Sequence, residues 1–252
     1  MDFEASNLLY RHPELYEIVY DDADHAAPRL AEAIFRTQLG HLPASLLDLG
    51  CSTGRNLDHL ARGIPDTVGV DARQATVDYA RERRPGLDLR VGDMRTIRLH
   101  RSFEAITSFG YVLANTRTNH DIEEVMATYA AHSQAGTLLV VEVIDPLRTD
   151  KLPRGYAIDI PDLRAEAIAE YTFHPAQQLL ERERIWRRAK GPVRDHATFR
   201  LLYPKELEYY LDNHGFEVVA CHDLPGRHTA ASAFVVARYR GQATAQPGLV
   251  ED

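Results

Sequence analysis

Leu46-Leu47-Asp48-Leu49-Gly50-Cys51-Ser52-Thr53-Gly54 is a short apolar run that ends in a turn bracketed by two glycines. Residues 55–62 follow with helical spacing, so the segment reads as strand, tight turn and helix. A glycine has no Cβ, and Gly50 and Gly54 therefore permit both a tight turn and close approach of a ligand to the backbone. The pattern is shared by several chemistries. It fits G-x-S-x-G, the nucleophile elbow of α/β-hydrolases, with Ser52 as nucleophile. It also partly fits the G-x-G-x-x-G phosphate turn of nicotinamide dehydrogenases, although Ser52 and Arg55 stand where that turn wants glycine.

The flanking chain narrows the choice. Upstream, Pro28 opens and Gly40 stops a stretch whose Leu30, Ala33, Ile34 and Thr37 share one helical face. Everything before residue 46 reads as helix, whereas a nucleophile elbow normally follows several strands and an oxyanion loop. Downstream the strand and helix unit repeats: strands at 67–71, 87–92, 104–108 and 137–144, and helices at 74–84 and 121–133. Such alternation implies a mostly parallel sheet covered on both faces. Past Asp145 the regime changes, because Pro146, Pro153, Pro161 and Pro175 punctuate a poorly periodic stretch. Two strand-like runs, 178–188 and 193–203, flank Lys190-Gly191-Pro192 and predict an inserted antiparallel hairpin. A helix from Pro204 to a Gly215 cap and strands at 217–224 and 233–239 complete the fold. The expected organisation is 1–145 for N-terminal helices and the ligand-binding half of the main domain, and 146–203 for the β insertion. Residues 204–240 form the rest of the main domain, and 241–252 a frayed tail.

Composition bounds the function. The 252 residues are 44% hydrophobic and 26% charged, with a formal charge of −8 and no basic stripe, which disfavours a nucleic-acid partner. The densest charge cluster, residues 181–188 (ERERIWRR), alternates sign and is expected to be a solvated strand face. Early charges such as Asp2, Glu4 and Arg11 leave no apolar signal segment, and no stretch is long and apolar enough to span a membrane, so a cytoplasmic protein is expected. The two cysteines, Cys51 and Cys221, suffice for neither a disulfide framework nor a zinc site, and no histidine pair has ligand spacing, so no metal is expected.

Three strand ends carry the chemistry, because an open parallel sheet binds ligand outside the carboxyl ends of its strands. The first is the 50–54 turn. At the second, Asp71 is placed to accept both hydroxyls of a ribose. At the third, Asp93 and Met94 offer an acidic side chain and an apolar one to the edge and face of an adenine.

Residues 46–54, Val68-Gly69-Val70-Asp71, Val91-Gly92-Asp93-Met94-Arg95 and 103–110 resemble, in order, the motifs of class I S-adenosylmethionine-dependent methyltransferases. The family pattern D-x-G-x-G-x-G is met here with Ser52 at the middle glycine. The likeness extends, through residues 14–21 and the inserted hairpin, to amino-sugar N-methyltransferases and related small-molecule enzymes of bacterial natural-product pathways, which belong to antibiotic biosynthesis. It implies a Rossmann-like α/β fold: a seven-stranded methyltransferase sheet, mostly parallel with one antiparallel strand, plus an inserted antiparallel β subdomain. It also implies S-adenosylmethionine as cofactor, S-adenosylhomocysteine as product and a small-molecule acceptor, with a homodimer left open. Asp48, Gly50, Ser52, Gly54, Asn56, Asp71, Ala72, Asp93, Met94, Arg95 and Phe109 would hold the cofactor, with Tyr16 and Tyr20 folding over the sulfonium.

Methyl transfer to an amine or hydroxyl proceeds by in-line displacement, which alignment and exclusion of water can drive. A base is needed chiefly for a hydroxyl acceptor. His196 on the hairpin, Asn115 on the loop after the fourth strand and Tyr16 are the expected catalytic residues, with the loop 109–121, the strand end 142–145, His174, Trp186 and Arg200 as further lining candidates. Two other readings stay open: the Ser52 hydrolase, and a methyltransferase-like binding protein that has lost its chemistry.

Overall fold

A computed structural model of the chain describes residues 7–21, 24–161, 163–189, 191–224 and 230–241. Two short helices, α1 (Leu8–Arg11) and α2 (Pro13–Val19), precede a long one, α3 (Ala26–Leu39), which ends at Gly40 in a left-handed conformation. Then β1 (Ser45–Leu49), α4 (Arg55–Leu60), β2 (Asp66–Asp71), α5 (Gln74–Arg83), β3 (Asp88–Val91), β4 (Phe103–Ser108), α6 (Asn119–Ala131) and β5 (Ser133–Ile144) build the parallel half. Four strands follow, β6 (Gly155–Ile160), β7 (Leu163–His174), β8 (Leu179–Arg188) and β9 (Val193–Arg200). The chain closes with α7 (Pro204–Asn213), β10 (Phe216–Asp223) and β11 (Ser232–Tyr239).

The first sheet has seven strands in the order β3-β2-β1-β4-β5-β11-β10, with β11 antiparallel to both its neighbours and the rest parallel. From Leu46 to Leu49 every β1 side chain is buried because helices cover both faces. Leu46 packs with Ile34, Phe35, Leu57 and Val77, while Leu47 and Leu49 pack on the other face with Ile122, Met126 and Tyr129. Gly69 exists for that closeness: a Cβ there would lie 2.8 Å from Leu57 and Leu89 and 2.9 Å from Cys51 Sγ. Strand order reverses between β1 and β4, which opens a crevice at their carboxyl ends.

The insertion is larger than the expected hairpin. It is a four-stranded antiparallel sheet, β6-β7-β8-β9, because the stretch read as poorly periodic contains two strands. In β7 the inward residues are Ala165, Ala167 and Ala169, too small to mark a hydrophobic face by eye, while Glu166, Ile168 and Glu170 point out. The inner face packs Tyr156, Ile158 and Trp186 against Leu9, Leu15 and Val19 of the two N-terminal helices.

The 181–188 run is therefore only half solvated. Glu183 and Arg187 are exposed, but Arg182 and Arg184 point inward and are 5% and 0% exposed. Arg184 forms a paired contact with Asp195, at 2.8 and 2.9 Å, and Trp186 Nε1 donates to the same carboxylate at 2.8 Å. Arg184 also donates to Asn7 Oδ1 and to the Tyr20 hydroxyl, which ties the second sheet to the N-terminal helices. The tail expected over 241–252 lies, from 242 onward, outside the described residues.

Removing one member of a buried ion pair strands its partner's charge. Asp195→Asn is thus expected to lower stability by about 3 to 5 kcal/mol, read as a reduced urea midpoint. An unchanged midpoint would show that Arg184 is satisfied without its carboxylate.

Candidate active site

The turn after β1 bends through left-handed backbone at Gly50 (φ 83°), Ser52 (φ 50°) and Gly54 (φ 78°). Gly50 and Cys51 N–H groups both donate to Val70 O, and Ser52 N–H donates to Asp71 Oδ2 at 3.0 Å. The other Asp71 oxygen accepts from Arg73 N at 3.0 Å, so the carboxylate at the end of β2 pins the β1 turn and its own loop together. Gly50 also admits Val112, since a Cβ there would come within 2.3 Å of its methyl.

Above these strand ends lies a cavity of about 500 Å³, a size that suits a small-molecule ligand. Of the expected cofactor residues, Tyr16, Gly50, Ser52, Asp71, Ala72, Asp93, Met94, Arg95 and Phe109 line it. Asn115 does too, its amide N–H donating to Val112 O at 3.1 Å. Asp48, Gly54, Asn56 and Tyr20 do not. Asp48 lies under the turn and accepts from Thr107 Oγ1 at 2.9 Å, and Gly54 caps α4. Tyr20 turns its hydroxyl toward Arg182 and Arg184 instead.

The hairpin candidates are displaced. His196 faces outward, opposite Glu183 in register, because strand alternation puts Asp195 and Ala197 on the inner face. Trp186 is wholly buried in the packing against α1 and α2, and His174 sits beside Glu181 at 3.1 Å. Arg200 joins the second sheet to α7 through Glu206 at 2.6 Å. None of the four lines the cavity.

Tyr10 and Arg73 line the wall and escaped the sequence reading. Tyr10 carries the Arg73 guanidinium 3.9 Å over its ring. Arg117, Thr118 and Asp121, from the candidate loop 109–121, also line the wall. The Thr118 and Asp121 pair is a capping box for α6 and was legible as one, with Thr118 accepting from Asp121 N at 3.0 Å. Arg95 bridges Asp93 at 2.6 Å and Asp121 at 2.7 Å across that end of the cavity. Hydrogen bonds from Arg95 hold the Asp93 carboxyl below its usual range.

Two features ask for a polar ligand. Ser52 Oγ is buried without a hydrogen-bond partner at the cavity wall. Asp71 retains an unfilled acceptor position: each oxygen takes one backbone N–H, Oδ1 also pairs with Arg73 Nε at 3.4 Å, and a carboxylate offers about four lone-pair sites. Burial, with Tyr10 and Tyr20 beside it, drives the Tyr16 phenol well above its usual range, so it stands neutral at physiological pH. Among the described residues no group of three His, Cys, Asp or Glu is placed to hold a metal ion. None of their helices is long and apolar enough to cross a membrane.

Residues 46–136 match the family model described as a methyltransferase domain. The chain is 32% identical over 133 residues to dTDP-3-amino-3,4,6-trideoxy-alpha-D-glucopyranose N,N-dimethyltransferase of Streptomyces venezuelae, covering 52% of this chain and 56% of that protein. It is 31% identical over 131 residues to dTDP-3-amino-3,6-dideoxy-alpha-D-glucopyranose N,N-dimethyltransferase of Streptomyces fradiae, covering 51% of each. The chain thus spans about half the length of the curated relatives it matches. The fold reaches further. DesVI of Streptomyces venezuelae superposes with a TM-score of 0.76 at 22% identity, over 90% of this chain and 96% of that one. SAM-bound CalS10, an amino pentose methyltransferase from Micromonospora echinaspora, gives 0.76 at 24% identity, over 89% and 95%.

Inside the matched segment, burial pushes the Asp48 carboxyl up to about 7; the Thr107 hydrogen bond opposes this and the nearby Asp71 adds to it. A carboxyl whose folded value lies above its unfolded one favours the fold most when protonated, and that contribution is lost as pH rises from about 4 to about 7. Asp48→Asn keeps an acceptor for Thr107 and carries no charge. The variant is expected to gain on the wild type by a few kcal/mol across that window, as denaturant titrations at several pH values would read. Parallel curves would put Asp48 in a well-solvated state.

Proposed function

We propose that the chain transfers the methyl group of S-adenosylmethionine to an amine of a small molecule, with an amino sugar as the acceptor class. The observation that carries this is the joining of Ser52 and Asp71 at one cavity wall, one with an unmatched hydroxyl and the other with a carboxylate that keeps an open acceptor position. The named sugar N,N-dimethyltransferases among the relatives support the acceptor class.

These residues fit the cofactor. Asp71 suits the ribose hydroxyls, Ser52 the polar methionine end, and Met94 with Phe109 the apolar faces of the adenine. The group supplies an electrophilic methyl on a sulfonium, whose displacement leaves a neutral thioether. What the chain adds is position and dryness. Tyr10 and Tyr16 wall the cavity, and the Tyr16 phenol, being neutral, serves as an aromatic face or hydrogen-bond donor rather than as a base. Asn115 keeps its Oδ1 free to orient an acceptor N–H, since its amide nitrogen is bound within its own turn. The amine attacks through its lone pair and afterwards sheds its proton to solvent, so no positioned histidine is required.

A cytoplasmic enzyme that works without nucleic acid or membrane belongs to the same reading and rests on the acidic composition. Calorimetry with S-adenosylhomocysteine, followed by turnover with an amino-sugar acceptor, tests the proposal. Asp71→Ala is expected to weaken S-adenosylhomocysteine by roughly 1 to 3 kcal/mol. A wild type that binds neither form of the cofactor would refute the reading, and binding without turnover on any amine would leave a binding protein.

A further inference from the structure

Arg182 is the one buried guanidinium of the second sheet whose donors are largely unmatched among the described residues. It is 5% exposed on the inner face of β8. Its Nη1 donates to the Tyr20 hydroxyl at 3.2 Å, while Nε and Nη2 have no hydrogen-bond partner. Arg184, two residues on, shows the contrast: Asp195, Asn7 and Tyr20 take its donors. Asp195 is already shared between Arg184 and Trp186, so the cluster holds two guanidiniums against one carboxylate. The Phe199 ring, 5.3 Å from the Arg182 guanidinium, offers a weak electrostatic contact and accepts neither free N–H. A buried cation with unused donors is costly until an anion meets it.

The place fits an acceptor rather than the cofactor. Arg182 is absent from the wall of the cofactor-sized cavity, but Tyr20, which it touches, stacks beside Tyr16 with ring centroids 4.9 Å apart, and Tyr16 lines that wall. Tyr171 stands opposite Arg182 in register on β7, and Tyr20, Tyr111 and Tyr171, each partly exposed, rim this region where the second sheet meets the loop after β4. Tyr20 thus stands between Arg182 and the cavity-lining Tyr16.

We infer that Arg182 receives an oxyanion of the acceptor, a phosphate or carboxylate group, and so selects amines that carry a negative charge some distance from the nitrogen. The inference rests on the methyl-transfer reading for the word acceptor, and its test is separable from that reading. Wild type, Arg182→Met and Arg182→Lys are each titrated with S-adenosylhomocysteine and, independently, with inorganic phosphate, a nucleoside diphosphate and acetate. Wild type is expected to bind at least one anion, Arg182→Met to bind it at least tenfold more weakly and Arg182→Lys to fall between, with S-adenosylhomocysteine affinity equal in all three. Preference for phosphate or the diphosphate points to a phosphorylated acceptor, and preference for acetate to a carboxylate; both support the inference. Equal anion affinity in Arg182→Met, or no anion bound by wild type, overturns it. Loss of S-adenosylhomocysteine binding alone instead refutes the cofactor reading. Should Arg182→Met fail to fold, the Arg182 Nε–H resonance of the wild type decides: it must shift on adding the anion, and an unmoved signal overturns the inference.

Discussion

The carboxylate of Asp71 holds the site together. One oxygen fixes the Ser52 N–H at the tip of the β1 turn, and the other fixes Arg73 N at the start of the loop after β2. Without it, two adjacent strand ends would present separate flexible loops; with it, they present one wall. The turn can be this tight only because glycine takes two of its three left-handed positions. The parallel sheet beneath supplies the register that brings Leu49 opposite Val70, and so the turn opposite Asp71.

The second half of the cavity comes from a different part of the chain and a different kind of force. Tyr10 and Tyr16 belong to short helices that would not be stable alone. They are held from above by the inner face of the four-stranded sheet and from below by Arg55, which donates to the carbonyls of Glu17 and Tyr20, and by Arg84, which pairs with Glu17 at 2.8 Å. The aromatic wall is thus clamped between two guanidinium systems, Arg182 and Arg184 on one side and Arg55 and Arg84 on the other. The inserted sheet therefore shapes the site without placing its histidines in it.

The parallel half was almost wholly legible, because buried strands announce themselves as apolar runs between turns. The cavity wall was partly legible for a related reason: strand ends in such a sheet are where ligands go, so Gly50, Ser52, 71–72 and 93–95 followed once the strands did, while Asp48, Gly54, Asn56 and Tyr20 lie off the wall. The inserted sheet was half read. Alternation of Ala with Glu in β7 carries the right period but little hydrophobic contrast, and the inward arginines of β8 inverted the usual sign of burial. His196 was chosen for lying on the hairpin, and strand alternation turns it outward there, opposite Glu183. Tyr10 and Arg73 could not be found from spacing, because they meet only through packing of α1 against the loop after β2.

Ser52 is where the three readings of the opening segment part. A nucleophile needs a base on its hydroxyl, and Ser52 Oγ has no hydrogen-bond partner among the described residues. A dinucleotide turn needs glycine at the position of Arg55, whose side chain here ties down Tyr20 O at 2.6 Å. A serine at φ 50° bears a conformational cost of about 1 kcal/mol that glycine would avoid. Its N–H alone, bound to Asp71, gives no reason to prefer serine, since glycine would offer the same donor. The hydroxyl is what the substitution adds, and it is buried at the wall of the cavity, so the strain at Ser52 is best understood as the cost of presenting one more polar group to whatever the cavity binds.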